Sequence, residues 1–135
     1  MRSSPWAASL RRERRGSVFR EDTYGMPQEP RAIPLAMAEQ VSHDAGVTDR
    51  PSMVDGVRWA IVEYRPGAKR LNWCNTPHSG FVVTGAIRYD FEDGRQALIV
   101  SAGSAFLLPN QPRHKGMNPG EVTTRMFLID ALLLS

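Results

Sequence analysis

The only cysteine of this 135-residue chain, Cys74, stands four residues before His78, and a further histidine, His114, lies forty positions after the cysteine. A thiolate and two imidazoles are donors for borderline and soft divalent ions. Three protein donors would leave coordination positions open, which is the arrangement of catalytic rather than closed structural sites. An ion held in this way can polarise a carbonyl or acidify water, and iron can also take dioxygen beside a chelating substrate. The thiolate favours zinc or iron, then nickel or copper, over magnesium or calcium. Asn72 is a candidate fourth ligand through its amide oxygen, although a water serves a Cys/His site equally well there. Arg70 shares the pocket side of a regular strand with Asn72, and its guanidinium can bind a carboxylate or phosphate bidentately. Gln111 is assigned to the pocket entrance as a second ligand-binding candidate.

Each of these side chains also has an ordinary reading. A free cysteine is among the most buried residue types, His78 can hydrogen-bond in the bend after Pro77, His114 can be a loop histidine, and Arg70 a solvated rim charge. Trp73 reads as packing rather than substrate stacking, Arg113 and Lys115 as loop charges, and His43 as a solvated histidine. No catalytic residue can be named. The sequence offers no nucleophile with an orienting base, so metal-independent hydrolysis has no support from it.

The elements that must position these donors read as strands. Val57, Trp59 and Ile61 alternate with Arg58, Ala60 and Val62 up to the turn pair Pro66-Gly67. Phe81, Val83, Ile87, Tyr89 and Phe91 form an apolar set opposite Thr84, Arg88, Asp90 and Glu92, which predicts one long half-buried strand with a bend or bulge at Gly85. Glu92-Asp93-Gly94 is hairpin-turn chemistry, residues 96 to 101 the return strand, and 105 to 108 a short apolar strand. Residues 109 to 119 read as a polar loop, and 122 to 129 as a final strand rich in β-branched and aromatic residues. Upstream, 33 to 37 reads as an edge strand and 38 to 44 as one helical turn. Short strands at such spacings, with no long helix and no internal repeat, predict an all-β sandwich or barrel.

Composition bounds the rest. Seventeen basic against fourteen acidic side chains give +3, and the excess sits in residues 1 to 25, where six arginines face Glu13, Glu21 and Asp22. This Ser- and Arg-rich stretch reads as a disordered basic tail, weakly transit-peptide-like and equally consistent with a true start at Met26 or Met37. Residues 26 to 54 read as an extended or edge segment, and 55 to 135 as the barrel. The barrel is charge-neutral, so nucleic acid is not an expected partner. One cysteine makes no internal disulfide, and no run approaches the roughly 18 apolar residues of a membrane span. A cytoplasmic protein away from membranes is the expectation.

The stretch from Gly103 to Asn118 resembles the second cupin motif: Gly103, five residues, Pro109, one residue, Gln111 where glycine is usual, two residues, His114, three residues, Asn118. Aligned through Gly85, the first cupin motif puts His78 at its glutamate position, Cys74 at its second histidine and Asn72 at its first, so that motif is degenerate. The resemblance covers about residues 55 to 131 and also extends to small cupins that carry a cysteine, three residues and a histidine before a Gly-aromatic strand. It implies a small antiparallel jelly-roll barrel, a homodimer, and a single divalent metal at Cys74, His78 and His114, since all three fall where cupins place ligands. Two functions follow from it. One is a mononuclear metal-dependent oxygenase, isomerase or hydrolase acting on a small polar or anionic substrate. The other is a non-catalytic cupin that binds or senses a small ligand without a functional metal.

Overall fold

Asp55 and Gly56 both take positive φ, 51° and 80°. That is the mirror-type two-residue turn that matches the right-handed twist of a hairpin. It folds β2 (Val47–Val54) back along β3 (Val57–Tyr64) over all eight residue pairs. The structure, a computed structural model, describes residues 29–130, and all of its strands lie in the compact unit that begins at Ile33. Before β2 come a 3-10 turn at Leu35–Met37 and the two-residue strand β1 (Val41–Ser42). After β3 the chain runs through β4 (His78–Thr84), β5 (Ala86–Phe91), β6 (Leu98–Ser101), β7 (Ala105–Leu108), β8 (His114–Met117) and β9 (Thr124–Asp130). The tail expected at residues 1 to 25 and the C-terminal residues 131 to 135 lie outside the described residues.

The strands form a six-stranded sheet in the order β1-β2-β3-β9-β4-β7 and a three-stranded sheet β6-β5-β8, with every pairing antiparallel. Val47, Ala60, Val62, Val82, Met126 and Leu128 of the first sheet meet Ile87, Tyr89 and Val100 of the second in one buried cluster. Alternation explains which side chains face inward. In β9 the buried set is Thr124, Met126, Leu128 and Asp130, with Arg125 exposed between them, as a period of two requires. Each large apolar side chain so buried contributes about 1.5–3 kcal/mol to the folded state. Two antiparallel sheets closed over such a core make a small jelly-roll barrel.

Three local expectations differ from the structure. The long strand expected from Phe81 to Phe91 is two strands in different sheets, parted at Gly85, whose φ of +75° an L side chain rarely adopts. The loop expected between Pro109 and Pro119 contains β8, where His, Lys, Gly and Met carry the alternation; none is a strong strand former. The edge strand expected at 33 to 37 is the 3-10 turn, entered from Pro34, and the helical turn expected over 38 to 44 contains β1. Among the described residues, no helix is long and apolar enough to cross a membrane.

Candidate metal centre

Cys74 reaches the site through its backbone. Its N–H donates to the His114 carbonyl at 2.8 Å, and the His114 N–H returns a bond to the Cys74 carbonyl at 2.9 Å. Two residues that exchange both bonds across an antiparallel bridge project their side chains to the same face. His114 is in turn held in the second sheet, because β8 pairs with β5. His78 begins β4 in the first sheet and faces the pair from across the core. The His78 and His114 rings meet edge to face, with centroids 5.2 Å apart, and Tyr89 closes on His114 from below at 5.6 Å. One donor atom from each of Cys74, His78 and His114 lies within 4.8 Å of the others.

Behind His78 stands a row of charge. Asp130 of β9 is the direct cross-strand partner of His78 in β4 and of Arg58 in β3. The three therefore lie side by side on the inner face. His78 Nδ1 is 2.6 Å from Asp130 Oδ1, and Arg58 Nη1 is 3.2 Å from Asp130 Oδ2. The other end of Arg58 pairs with Asp49 of β2, whose Oδ2 is also 3.0 Å from His43 Nε2. Asp49 and Asp130 are buried, at 6% and 4% exposure, and buried carboxylates require such partners.

These surroundings shift the titrating groups. The His114 and His78 imidazoles beside Cys74, helped by the Thr76 N–H at 3.4 Å, lower its thiol pKa to about 5 against the opposing effect of burial. Burial by itself would discharge His78, but the Asp130 carboxylate and the Cys74 thiolate outweigh it and raise its pKa to about 9. Burial also pushes the Tyr64 hydroxyl up to about 12. Burial works against the charge on Asp130 as well, yet His78 and Arg58 keep its carboxyl below the usual range.

The residues present fit a metal. Bonds from an ion to sulfur and nitrogen are about 2.0–2.3 Å, so donor atoms within 4.8 Å of one another need to close up only slightly to share one ion. His114 Nδ1 is buried without a hydrogen-bond partner, a state that buried polar atoms normally avoid. The hydrogen bond at His78 Nδ1 leaves its Nε2 for a ligand, the usual arrangement of a metal-bound histidine. The Asp130 carboxylate and the Cys74 thiolate place negative charge beside the donors, which favours a cation there.

A cavity of about 130 Å³ opens onto the cluster, and Tyr64, Arg70 and Asn72 are among its walls. Arg70 is held there by Asp44, through Nε at 2.9 Å, while the same carboxylate oxygen accepts the Leu71 N–H at 3.0 Å. Asn72 lines the cavity but is exposed. Gln111 does not reach it: the residue is exposed in the loop between β7 and β8 and is absent from the cavity wall. His43, read from sequence as a solvated histidine, lines the cavity and pairs with Asp49. Lys115 lies over the Trp73 ring, its Nζ 4.2 Å from the centroid, and Arg113 pairs with Glu92. Sequence reasoning missed Asp130, Arg58 and Asp49. One signal was present, since Asp130 continues the inward alternation of Thr124, Met126 and Leu128, where an apolar residue is the rule.

No family profile matches the sequence, and no curated protein matches it. Solved structures do. The cupin domain of Cnp3 from Schizosaccharomyces pombe superposes with a TM-score of 0.59 at 13% identity, covering 73% of this chain and 71% of that one. A cupin domain from Bordetella pertussis gives 0.53 at 15% identity, covering 63% and 92%. The oxalate decarboxylase of Bacillus subtilis, a protein with Mn(II) centres, gives 0.61 at 17% identity, and the match covers 82% of this chain but only 32% of the decarboxylase. With two antiparallel sheets closed on one core and a candidate metal cluster at the barrel mouth, this chain has the cupin fold.

Proposed function

We propose that this protein is a small cupin that holds one divalent transition metal through Cys74, His78 and His114 and acts on a small polar substrate entering by the Arg70 side of the cavity. One observation carries the reading: three metal-capable side chains, drawn from the segment before β4, from β4 and from β8, converge within 4.8 Å. The bound ion would supply Lewis acidity. Arg70 offers a guanidinium for a substrate carboxylate, Asn72 is a candidate fourth ligand, and the small cavity restricts the substrate to a few heavy atoms. The fold-level likeness to an oxalate enzyme agrees with a small acid. The thiolate, however, favours zinc or iron, with nickel or copper next, over the manganese of that enzyme. The reading includes a cytoplasmic protein and a homodimer, the latter supported by Phe81, Val83 and Leu107 exposed on the outer face of the larger sheet.

The test is metal analysis of protein purified under reducing conditions. The wild type is expected to carry close to one zinc or iron per chain. Cys74→Ala and His114→Ala should lose it to a similar degree, and Asn72→Ala should lose little. The reading fails if the wild type takes up no divalent metal, or if His114→Ala keeps its metal.

A second reading has its own observation. Asp130, His78 and Cys74 stand in line as carboxylate, imidazole and low-pKa thiol, the order that activates a cysteine nucleophile. Stoichiometric metal excludes it. Metal-free protein whose Cys74 is alkylated rapidly near pH 7 would favour it.

A further inference from the structure

We propose that Asp130, braced by Arg58, is the positioning residue of the candidate centre: it fixes the His78 imidazole with its Nδ1–H toward β9 so that Nε2 faces Cys74 and His114. This rests on the metal reading only for its consequence, because the positioning itself is a property of the chain. The geometry is specific. His78, Asp130 and Arg58 occupy one cross-strand row over β4, β9 and β3, so their side chains leave the sheet on one face at neighbouring points. The Nδ1–Oδ1 distance of 2.6 Å places the ring nitrogen in direct hydrogen-bond contact with the carboxylate.

The second carboxylate oxygen is not free to compete. Arg58 Nη1 occupies Oδ2 at 3.2 Å, and Arg58 is itself anchored by Asp49. Asp130 thus has one oxygen for the arginine and one for the histidine, which sets the plane of the carboxylate and, through it, the plane of the ring. A ring turned over about its Cβ–Cγ bond would present a carbon in place of Nε2 to the cluster and leave the buried Asp130 oxygen unpaired. That loss would be costly at 4% exposure. Histidines that ligate metals are held in this way in general, and removing the holding group typically weakens the metal about 10–100-fold.

Asp130→Asn is the variant of choice, because it keeps the side-chain size and leaves Arg58 paired to Asp49. Two measurements go together on the full chain. The first is a long-range proton–nitrogen NMR spectrum of metal-free wild type, expected to show a slowly exchanging proton on His78 Nδ1 that is lost in the variant. The second is zinc affinity by chelator competition, expected to fall about 10–100-fold in Asp130→Asn, with His78 nitrogen shifts in the zinc-loaded wild type marking Nε2 as the ligand. The proposal is overturned if that Nδ1 proton is absent from the wild type, if the variant leaves it unchanged, or if the variant binds zinc as tightly as the wild type. If the wild type takes up neither zinc nor any other divalent metal, the metal reading falls by itself, and the Nδ1 proton still decides the role of Asp130. Should Asp130→Asn fail to fold, the presence or absence of that proton in the wild type is decisive on its own.

Discussion

Cys74 and His78 carry opposite charges in the metal-free site, and this sets how metal binding should respond to pH. With its pKa lowered to about 5, Cys74 is already a thiolate at neutral pH. With its pKa raised to about 9, His78 is still protonated there. A ligand nitrogen must give up its proton, so metal uptake near pH 7.5 should release about one proton, from His78 and not from Cys74. From about pH 7.5 to 9 the apparent affinity should then rise roughly tenfold per pH unit, because the proton and the ion compete for one lone pair of His78. An unperturbed histidine would place the loss below about pH 6; the Asp130 carboxylate moves that threshold upward. Calorimetry in buffers of differing ionisation enthalpy counts the protons. A release near zero at pH 7.5 would show that His78 is neutral before the metal arrives.

Gly85 is the element on which the site's geometry turns. The chain leaves the larger sheet at Thr84 and enters the smaller one at Ala86, so this corner places His78 and His114 on opposite walls of one barrel. It is fastened by Thr124, whose hydroxyl accepts the Ala86 N–H at 3.2 Å and donates to the Ala86 carbonyl. A β-carbon at Gly85 would stand 2.8 Å from Thr124 Oγ1 and 3.0 Å from Thr124 Cα, at a φ of +75°. Backbone that cannot adopt the left-handed region without strain costs about 1–3 kcal/mol. Gly85→Ala is therefore expected to lower the unfolding free energy obtained from urea titration by an amount in that range, with weaker metal retention accompanying it. A stability change below about 0.5 kcal/mol, the scale of an ordinary surface substitution, would mean that the corner is not under this constraint.

For the molecule as a whole, the buried cluster of the described residues runs from Val47 to Leu128, and the excess positive charge of the sequence resides in residues 1 to 25. Removing those residues is expected to leave the melting temperature within a few degrees of the full chain and the metal content unchanged. A larger drop would show that the basic segment packs against the barrel. Light scattering on the same two proteins tests the proposed homodimer as well, which is expected with and without residues 1 to 25 because Phe81, Val83 and Leu107 remain exposed.

The strand pattern and the types and positions of the donors are legible in the residues taken locally. Alternation in Val57–Tyr64 is a period-two signal, Ala105–Leu108 is a short apolar run, and the resemblance of the stretch from Gly103 through Pro109 and His114 to Asn118 to a cupin motif implies the barrel and its mouth before any strand is paired. Turn chemistry at Gly94 and the break at Gly85 are legible too, although not that Gly85 divides two sheets. Which partner each donor meets is a matter of tertiary structure. Asp130 lies 52 residues from His78 and 72 from Arg58, and nothing in the neighbourhood of any of the three announces the others. Their meeting follows from the order β3-β9-β4 and from register, in which a slip of one residue would turn Asp130 to the outer face. Gln111 shows the same limit, since its place in the motif is local while the direction of its loop is not. Side-chain type and period are properties of a few consecutive residues. The protonation state of His78 depends on a carboxylate delivered by a different strand, and only the folded chain brings the two together.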